Sequence, residues 1–516
     1  MRQLPFYKSP MMMSKKIYLL LCTLAWGWVF CAVANAQNNP AAAYGSHFTL
    51  QGARYQPSKL GLGSERVQIN LANAYGWFGN NITSMGEVER LLGGNLTSEE
   101  VNEKIEERLG QLNRTNRASF GLQVQPIGVA IKFVRKKPAY SMRTPTALCQ
   151  PEDSYIERFT ISAEINERVE GNIFLSKTLA QFAWKGNKQF AGQTVDLGRV
   201  GGTGFWLREF VAGFAAPVRI GKRAKIGFTQ EKLRPQEMTL RIGGRIKVLE
   251  GMMAFRTSRF SGNMTTATDG SSLGFDIDYQ LNGALPYDRI NADGNPVVDA
   301  ENPANPLTVR GRGLGFDAGA TFTFQNKVSI SASLLDIGMV RYTKQTLNYA
   351  VQDQFTFEGV PITLGVGNNN LTDSTQSFVD SLTARFTPTP TQNNFNMALP
   401  MRLALQFEYK IPAKDRKGRS FNLHHFYATY IQGFTELGTA TRRPSMQLGY
   451  NLNLFTIANF GLATSFGGHN PFAMSGYFSF RAGPVRLGVG SSALTYLVSK
   501  DNTTGADISF NLGVAW

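Results

Sequence analysis

Cysteine is nearly absent from this chain: Cys22, Cys31 and Cys149 are the only three in 516 residues. The first two lie in an amino-terminal stretch that reads as an export signal. Only Cys149 would then remain, which excludes an intramolecular disulfide from the mature chain. Histidine is scarce as well, with His47, His424, His425 and His469 the full set. Neighbouring His424 and His425 on a strand would point to opposite faces, so they could not close on one metal, and no metal site is expected. Long apolar runs are missing too. Beyond the amino terminus nothing approaches the roughly 18 apolar residues that a spanning helix requires. If such a chain enters a membrane it must do so as a closed barrel, because lipid offers no partner to an open strand edge.

The amino terminus has the parts of a secretory signal. Lys15 and Lys16 form a basic region, residues 17–33 an apolar run, and Ala34-Asn35-Ala36 a small-residue cleavage site. Residues 1–36 are therefore read as a signal peptide and 37–516 as the mature chain; a retained helix is the alternative. Losing Arg2, Lys8, Lys15 and Lys16 takes the formal charge from +16 to +12. The remaining basic residues are scattered rather than clustered, which suits lumen and rim charge or attraction to anionic lipid, and no nucleic-acid partner is expected. Charged residues are only 17%, against 52 Gly and 36 Phe. That balance argues against the two or three soluble domains that about 480 residues would ordinarily suggest.

Period-two alternation runs through most of the chain. In the last ten residues Ile508, Phe510, Leu512, Val514 and Trp516 share one face, while Asp507, Ser509, Asn511, Gly513 and Ala515 share the other. The same pattern recurs from Phe120 to Val124, from Ile127 to Phe133 after a break at Pro126, and around Ile242, Phe316, Leu403, Met446 and Val485. An apolar face toward lipid and a polar face toward a lumen is the signature of a transmembrane barrel. About 14–16 strands are expected, with Phe510, Leu512, Val514 and Trp516 on the closing one. Trp516 is expected to face lipid at a membrane boundary, with Asn511 and Ser509 facing the lumen. Glycine on the lumen side suits strands that curve or pack against a plug.

Helices are predicted near residues 96–112, 174–184 and 372–386. The first has Thr97 or Ser98 as cap, acidic residues in its first turn, and Val101, Ile105 and Leu109 as its stripe. Because it interrupts the barrel early, it is the expected plug, with Glu99, Glu103 and Glu106 available to lumen cations. Long polar loops are predicted at residues 282–305 and 360–376.

Enzymatic signals are weak. No Ser/His/Asp grouping has supporting spacing. Gly311-Arg312-Gly313-Leu314-Gly315 begins a strand rather than a strand–turn–helix unit. Asn291 to Asn295 with Asp299 could bind calcium weakly in an outer loop, but a plain Asx-Gly turn is the preferred reading. The chain is not expected to be an enzyme or to need a cofactor. Its functional candidates are the lumen charges Arg241, Arg245 and Lys247 on one strand and Arg402, Glu408 and Lys410 on another. These could line a solute path or pair with one another and with plug carboxylates.

Several segments together resemble a Bacteroidota-type outer-membrane barrel family of unknown function. They are residues 61–78 with the following helix, Phe190-Ala191-Gly192 leading into Gly204-Phe205-Trp206-Leu207-Arg208-Glu209, and Ile246-Lys247-Val248-Leu249-Glu250-Gly251. Residues 313–320, Ser333-Leu334-Leu335-Asp336-Ile337-Gly338 and Ala482-Gly483-Pro484-Val485 complete the set. Such proteins are similar in architecture to FadL-like fatty-acid channels and to the PorV-like shuttle barrel of type IX secretion. The resemblance implies roughly 14 strands and an amino-terminal plug, but transfers no ligand or catalytic residue. The resulting expectation is a Gram-negative outer-membrane barrel acting as a passive channel for small or hydrophobic solutes. A scaffold for secretion or surface assembly is the alternative, and a soluble secreted sandwich a more distant one. Its expected partners are outer-membrane lipid, the barrel-assembly machinery through the carboxy-terminal strand, and a small or hydrophobic solute.

Overall fold

A computed structural model describes residues 49–63, 65–84, 86, 98–136, 155–220, 238–291, 296–297, 304–358, 390–414, 420–438, 440–454, 457–468, 472–492, 494–498 and 504–516. Fourteen antiparallel strands close into one barrel. They are β1 (Val67–Asn80), β2 (Thr115–Lys136), β3 (Tyr155–Ser176), β4 (Gly201–Ile220), β5 (Met238–Thr266), β6 (Gly311–Phe324) and β7 (Val328–Tyr342). The second half comprises β8 (Arg402–Lys414), β9 (Ser420–Gly433), β10 (Ser445–Leu454), β11 (Ala458–Gly467), β12 (Phe472–Ala482), β13 (Val485–Ser491) and β14 (Gly505–Ala515). Each strand pairs with its neighbours in sequence, and β14 closes on β1 from Gln68↔Ala515 to Gly79↔Gly505. The number stands at the lower end of the predicted range. Among the described residues no helix is long and apolar enough to cross a membrane.

The alternation sorts side chains as lipid and a polar interior demand. Ile246, Leu314, Ile330, Phe407, Leu462 and Phe510 are exposed on the outside, while Arg245, Asp317, Ser331, Gln406, Gln447 and Ser509 are buried inside. On β14, Ser509 and Asn511 face inward and Trp516 is 58% exposed at the strand end. Its carbonyl accepts from Arg66 N (2.7 Å) and Val67 N (3.0 Å), so the last residue is stitched to the first barrel strand.

The apolar belt has a visible edge. Glu167, Arg208, Glu250, Arg312 and Arg341 are successive register neighbours across β3, β4, β5, β6 and β7, a row of charge running around the wall. None of the five is buried. Within it Arg208 Nε meets Glu167 at 2.5 Å, and Trp206 Nε1 donates to the same carboxylate at 2.8 Å. Full charge is tolerated on an outer face only near the interface, so this row bounds the lipid-covered zone. Beyond it β5 continues past the barrel and pairs with the strand Leu273–Ala284, which pairs in turn with Thr346–Phe357.

Proline and bulges adjust the register. The predicted break at Pro126 is not a strand end, because β2 runs through it as one strand of 22 residues. Pro126 lacks an N–H, and the ladder to β3 slips between Val124 and Ile127, which switches the outward set from even to odd residues. The helices also differ in their placement. α1 (Thr49–Tyr55) and a 3-10 turn (Pro57–Lys59) precede β1, α2 is Ser98–Gln111, α3 is Lys177–Lys185 and α4 is Leu494–Val498. α3 begins later than the predicted residue 174, because β3 continues to Ser176, whose side chain caps the helix by accepting from Leu179 N. The signal segment, Cys149 and the stretches at residues 372–386 and 360–376 lie outside the described residues, as does most of the candidate calcium loop.

Candidate functional site

The lumen is filled in layers, each set by inward positions two residues apart on the same strands. Nearest the short-turn end sits the segment from Thr49 to Leu60. Leu50, Ala53 and Leu60 pack with Ala130 and Ala215 of the wall. A Cβ on Gly243 would stand 2.4 Å from the Pro57 carbonyl oxygen, so glycine there is what lets the plug backbone touch β5. Ser58 shares a hydrogen bond with Thr321 (2.7 Å), and Lys59 Nζ donates to Gln406 and Glu408, both at 2.7 Å. Arg241 donates to the Leu60 carbonyl and pairs with Glu157 (2.7 Å). Burial pushes the Lys59 amine below its ordinary range, with Glu408 opposing.

The predicted plug is therefore corrected. α2 lies against α3 at the long-loop end, where Lys177 Nζ donates to the Gly110 carbonyl at 2.6 Å and Glu106 lies 3.8 Å from Lys185. Glu103 and Glu106 are exposed, and the Glu99 side chain lies outside the described residues. Among the described side chains of α2, Glu103, Glu106 and Glu107 face solvent rather than the lumen cations.

Above the plug lies an ionic belt. Arg168 of β3 meets Asp336 of β7 with two hydrogen bonds (3.0 and 3.1 Å), Glu170 at 2.7 Å and Glu209 of β4 at 3.3 Å. Arg245 joins Glu164 (2.7 Å) to Asp317 (3.3 Å), and Lys247 joins Asp317 (2.7 Å) to Asp336 (2.6 Å). Arg402 of β8 completes it, 3.2 Å from Asp336. A neighbouring cluster places His425 (3.1 Å) and Lys410 (3.5 Å) on Glu408. All six lumen candidates thus point inward, and each has an opposite charge beside it. Charges buried this deeply persist only when paired and hydrogen-bonded.

Sequence reading missed the hub of this belt, Asp336, together with Arg168, Asp317, Glu164, Glu170 and Glu209. A bulge makes the hub. Phe316 pairs with Ile337 and Ala318 with Leu334, so Leu335 and Asp336 together oppose Asp317. Asp336 adopts φ 58°, in the left-handed region, and its N–H donates to Asp317 at 2.7 Å. The signal was present in Leu334-Leu335-Asp336, where two adjacent apolar residues break the alternation. β3 also carried one, since Glu164, Arg168 and Glu170 lie on the same inward row.

Next comes an apolar layer. Phe205, Leu207, Leu249, Val340, Tyr342, Met397 and Leu399 pack with Leu437 from the loop between β9 and β10. That loop bends into the barrel: Gly438, at φ 53°, leaves no room for a Cβ beside Glu170 Oε2. Arg168 lies over the Phe205 ring at 5.5 Å and joins this layer to the belt. On the loop side a cavity of about 290 Å³ opens, lined by Arg117, Arg199, Glu436, Arg442 and Arg443 among others. Among the described residues no group of three or more His, Cys, Asp or Glu is placed to hold a metal ion.

Among solved structures, the toluene transporter TbuX of Ralstonia pickettii aligns over 94% of this chain and 97% of its own, at 9% identity and a TM-score of 0.38. A FadL homologue of Pseudomonas aeruginosa aligns over 94% and 95%, at 9% identity and 0.37. The translocator domain of the autotransporter NalP from Neisseria meningitidis aligns over 93% and 99%, at 8% and 0.29. Scores at this level have no bearing on what this barrel does. No curated protein matches the chain in sequence. Residues 155–492 match the model of a family of unknown function, DUF5723, and the chain belongs to that family.

Proposed function

We propose that this protein is an outer-membrane channel for small or hydrophobic solutes, closed at rest by its own amino-terminal segment. The observation that carries the reading is the way the lumen is shut. The segment from Thr49 to Leu60 belongs to no strand ladder and is held by side-chain contacts such as Ser58–Thr321 and Lys59–Glu408. A plug attached in this way can leave or shift without breaking the barrel. The buried layer around Phe205, Leu249 and Tyr342 is an apolar stage next to the ionic belt, which suits an apolar solute. In this reading residues 1–36 direct export and are removed. The outer membrane of a Gram-negative bacterium supplies the lipid around the belt, and β14, with Phe510, Leu512, Val514 and Trp516, is presented to the barrel-assembly machinery.

Liposome swelling and single-channel conductance with the purified full chain, and with a variant lacking residues 49–62, test the reading. Flux that rises on removing the segment, from a barrel that still shows folded electrophoretic migration, is the expected result. Absence of flux in both proteins would overturn it. The second reading, a non-transporting scaffold, draws on the dense ion pairing around Asp336, which serves a permanently filled interior equally well. A stoichiometric protein partner co-purifying with a barrel that conducts nothing would favour it.

A further inference from the structure

The cavity at the loop end has a charge balance unlike the rest of the lumen. Four arginines, Arg117, Arg199, Arg442 and Arg443, line it with a single acidic residue, Glu436. That carboxylate is already committed. One oxygen pairs with Arg117, and the other accepts from Arg442 N (2.9 Å) and Thr441 Oγ1 (3.2 Å). Among the described residues no carboxylate forms an ion pair with the side chains of Arg199, Arg442 or Arg443. In the belt below, by contrast, Arg168, Arg245, Lys247 and Arg402 each lie against a carboxylate.

The cationic groups are also held in place. The Arg199 guanidinium carbon lies 3.6 Å from the centre of the Phe174 ring, a cation–π contact that holds the group over the ring face. Arg117 is fixed from both sides of its peptide: its N–H donates to Asn81 Oδ1 (2.5 Å) and its carbonyl accepts from Asn81 N (3.0 Å). Arg442 and Arg443 come from the same inward-bent loop that places Leu437 in the apolar layer. Gathering like charges in this way is unfavourable unless an anion joins them, and planar guanidinium forks match a phosphate group.

We propose that this cavity is a phosphate-binding site at the loop-side mouth of the barrel, with Arg199, Arg442 and Arg443 as the anion-contacting groups. The phosphate is carried by a soluble solute or by a lipid headgroup. Binding requires only the closed, folded barrel, so the site stands whether or not the protein conducts.

The test is calorimetric titration of the detergent-solubilised full chain with inorganic phosphate in one arm and with mixed micelles of a phosphate-headgroup lipid in the other. Wild type is compared with Arg199→Gln, with an Arg442→Gln/Arg443→Gln double variant, and with Arg259→Gln as a control outside the cavity. All of these arginines are exposed enough for the barrel to fold without them. The expected result is saturable, salt-sensitive binding in at least one arm, weakened about tenfold or more in the cavity variants and unchanged in the control. Saturation by free phosphate assigns a soluble ligand, and saturation by the micelles alone assigns a headgroup. Binding that is absent from both arms, or equal in wild type and cavity variants, overturns the proposal.

Discussion

Arg168 and Asp336, 168 residues apart in sequence, face each other across the lumen through two hydrogen bonds of 3.0 and 3.1 Å, each side chain only 2% exposed. Asp336 also receives Lys247 and Arg402, so one carboxylate neutralises part of the charge from three separate strands. Asparagine keeps the tolerance for a left-handed φ but removes that charge. Asp336→Asn should therefore cost about 3–5 kcal/mol, because it leaves buried cations short of a counter-ion. Urea unfolding in detergent or lipid vesicles measures it. A loss under about 1 kcal/mol would show that solvent reaches the belt and that these pairs behave as exposed ones.

The plug should yield to a single substitution in the wall. Gly243→Leu places side-chain carbon where the Pro57 carbonyl lies, 2.4 Å from the Cβ position. Overpacking of this kind costs about 1–3 kcal/mol, enough to shift a plugged equilibrium roughly fivefold to a hundredfold toward open. The expected outcome is raised basal conductance in planar bilayers from a barrel of unchanged thermal stability. Conductance equal to wild type would mean that the plug does not set the closed state.

Acid should loosen the strand-end anchor of the plug before it loosens the barrel. Glu65, between the plug and β1, pairs with Arg481 (2.8 Å) and with Arg486. Burial alone would raise its carboxyl, but Arg486, a hydrogen bond from its own backbone, Arg481 and Lys132 together outweigh that and hold it below the ordinary 4.5. Its contribution is thus fully present above that ordinary value and lost as pH falls through the lower folded value. Glu65→Gln should remove this acid-dependent step and cost about 1–3 kcal/mol at neutral pH. Limited proteolysis of the amino-terminal segment across an acid titration reads both effects.

The outer charged row makes the position of the belt testable. Leu462, 60% exposed in the middle of β11, faces lipid, so Leu462→Arg should destabilise the barrel by about 2–4 kcal/mol. Arg312 already stands at the boundary row, and Arg312→Leu should change stability by less than about 1 kcal/mol in either direction. Unfolding titrations in vesicles separate the two. Equal costs would move the membrane boundary away from the Glu167–Arg341 row.

Much of this architecture was legible in the sequence. Alternation in segments such as Leu403 to Tyr409 and Ile508 to Trp516 determined which side chains meet lipid and which meet the lumen, because strand geometry imposes a period of two whatever the neighbours are. The same pattern put Arg241, Arg245, Lys247, Arg402, Glu408 and Lys410 inside. It did not say what they would meet. Pairing Arg168 with Asp336 depends on barrel closure and on a bulge at Leu335 and Asp336, and both arise from register between strands rather than from order along one strand. The plug was misplaced for a related reason. The helix at residues 98–111 has the stronger helical signature, yet it lies at the loop end, while the segment from Thr49 to Leu60 fills the lumen, its backbone at Pro57 admitted by Gly243. Local periodicity is a property of one segment and can be read alone. Which charge neutralises which, and which segment closes the lumen, are properties of distant segments brought together, and only the tertiary structure decided them.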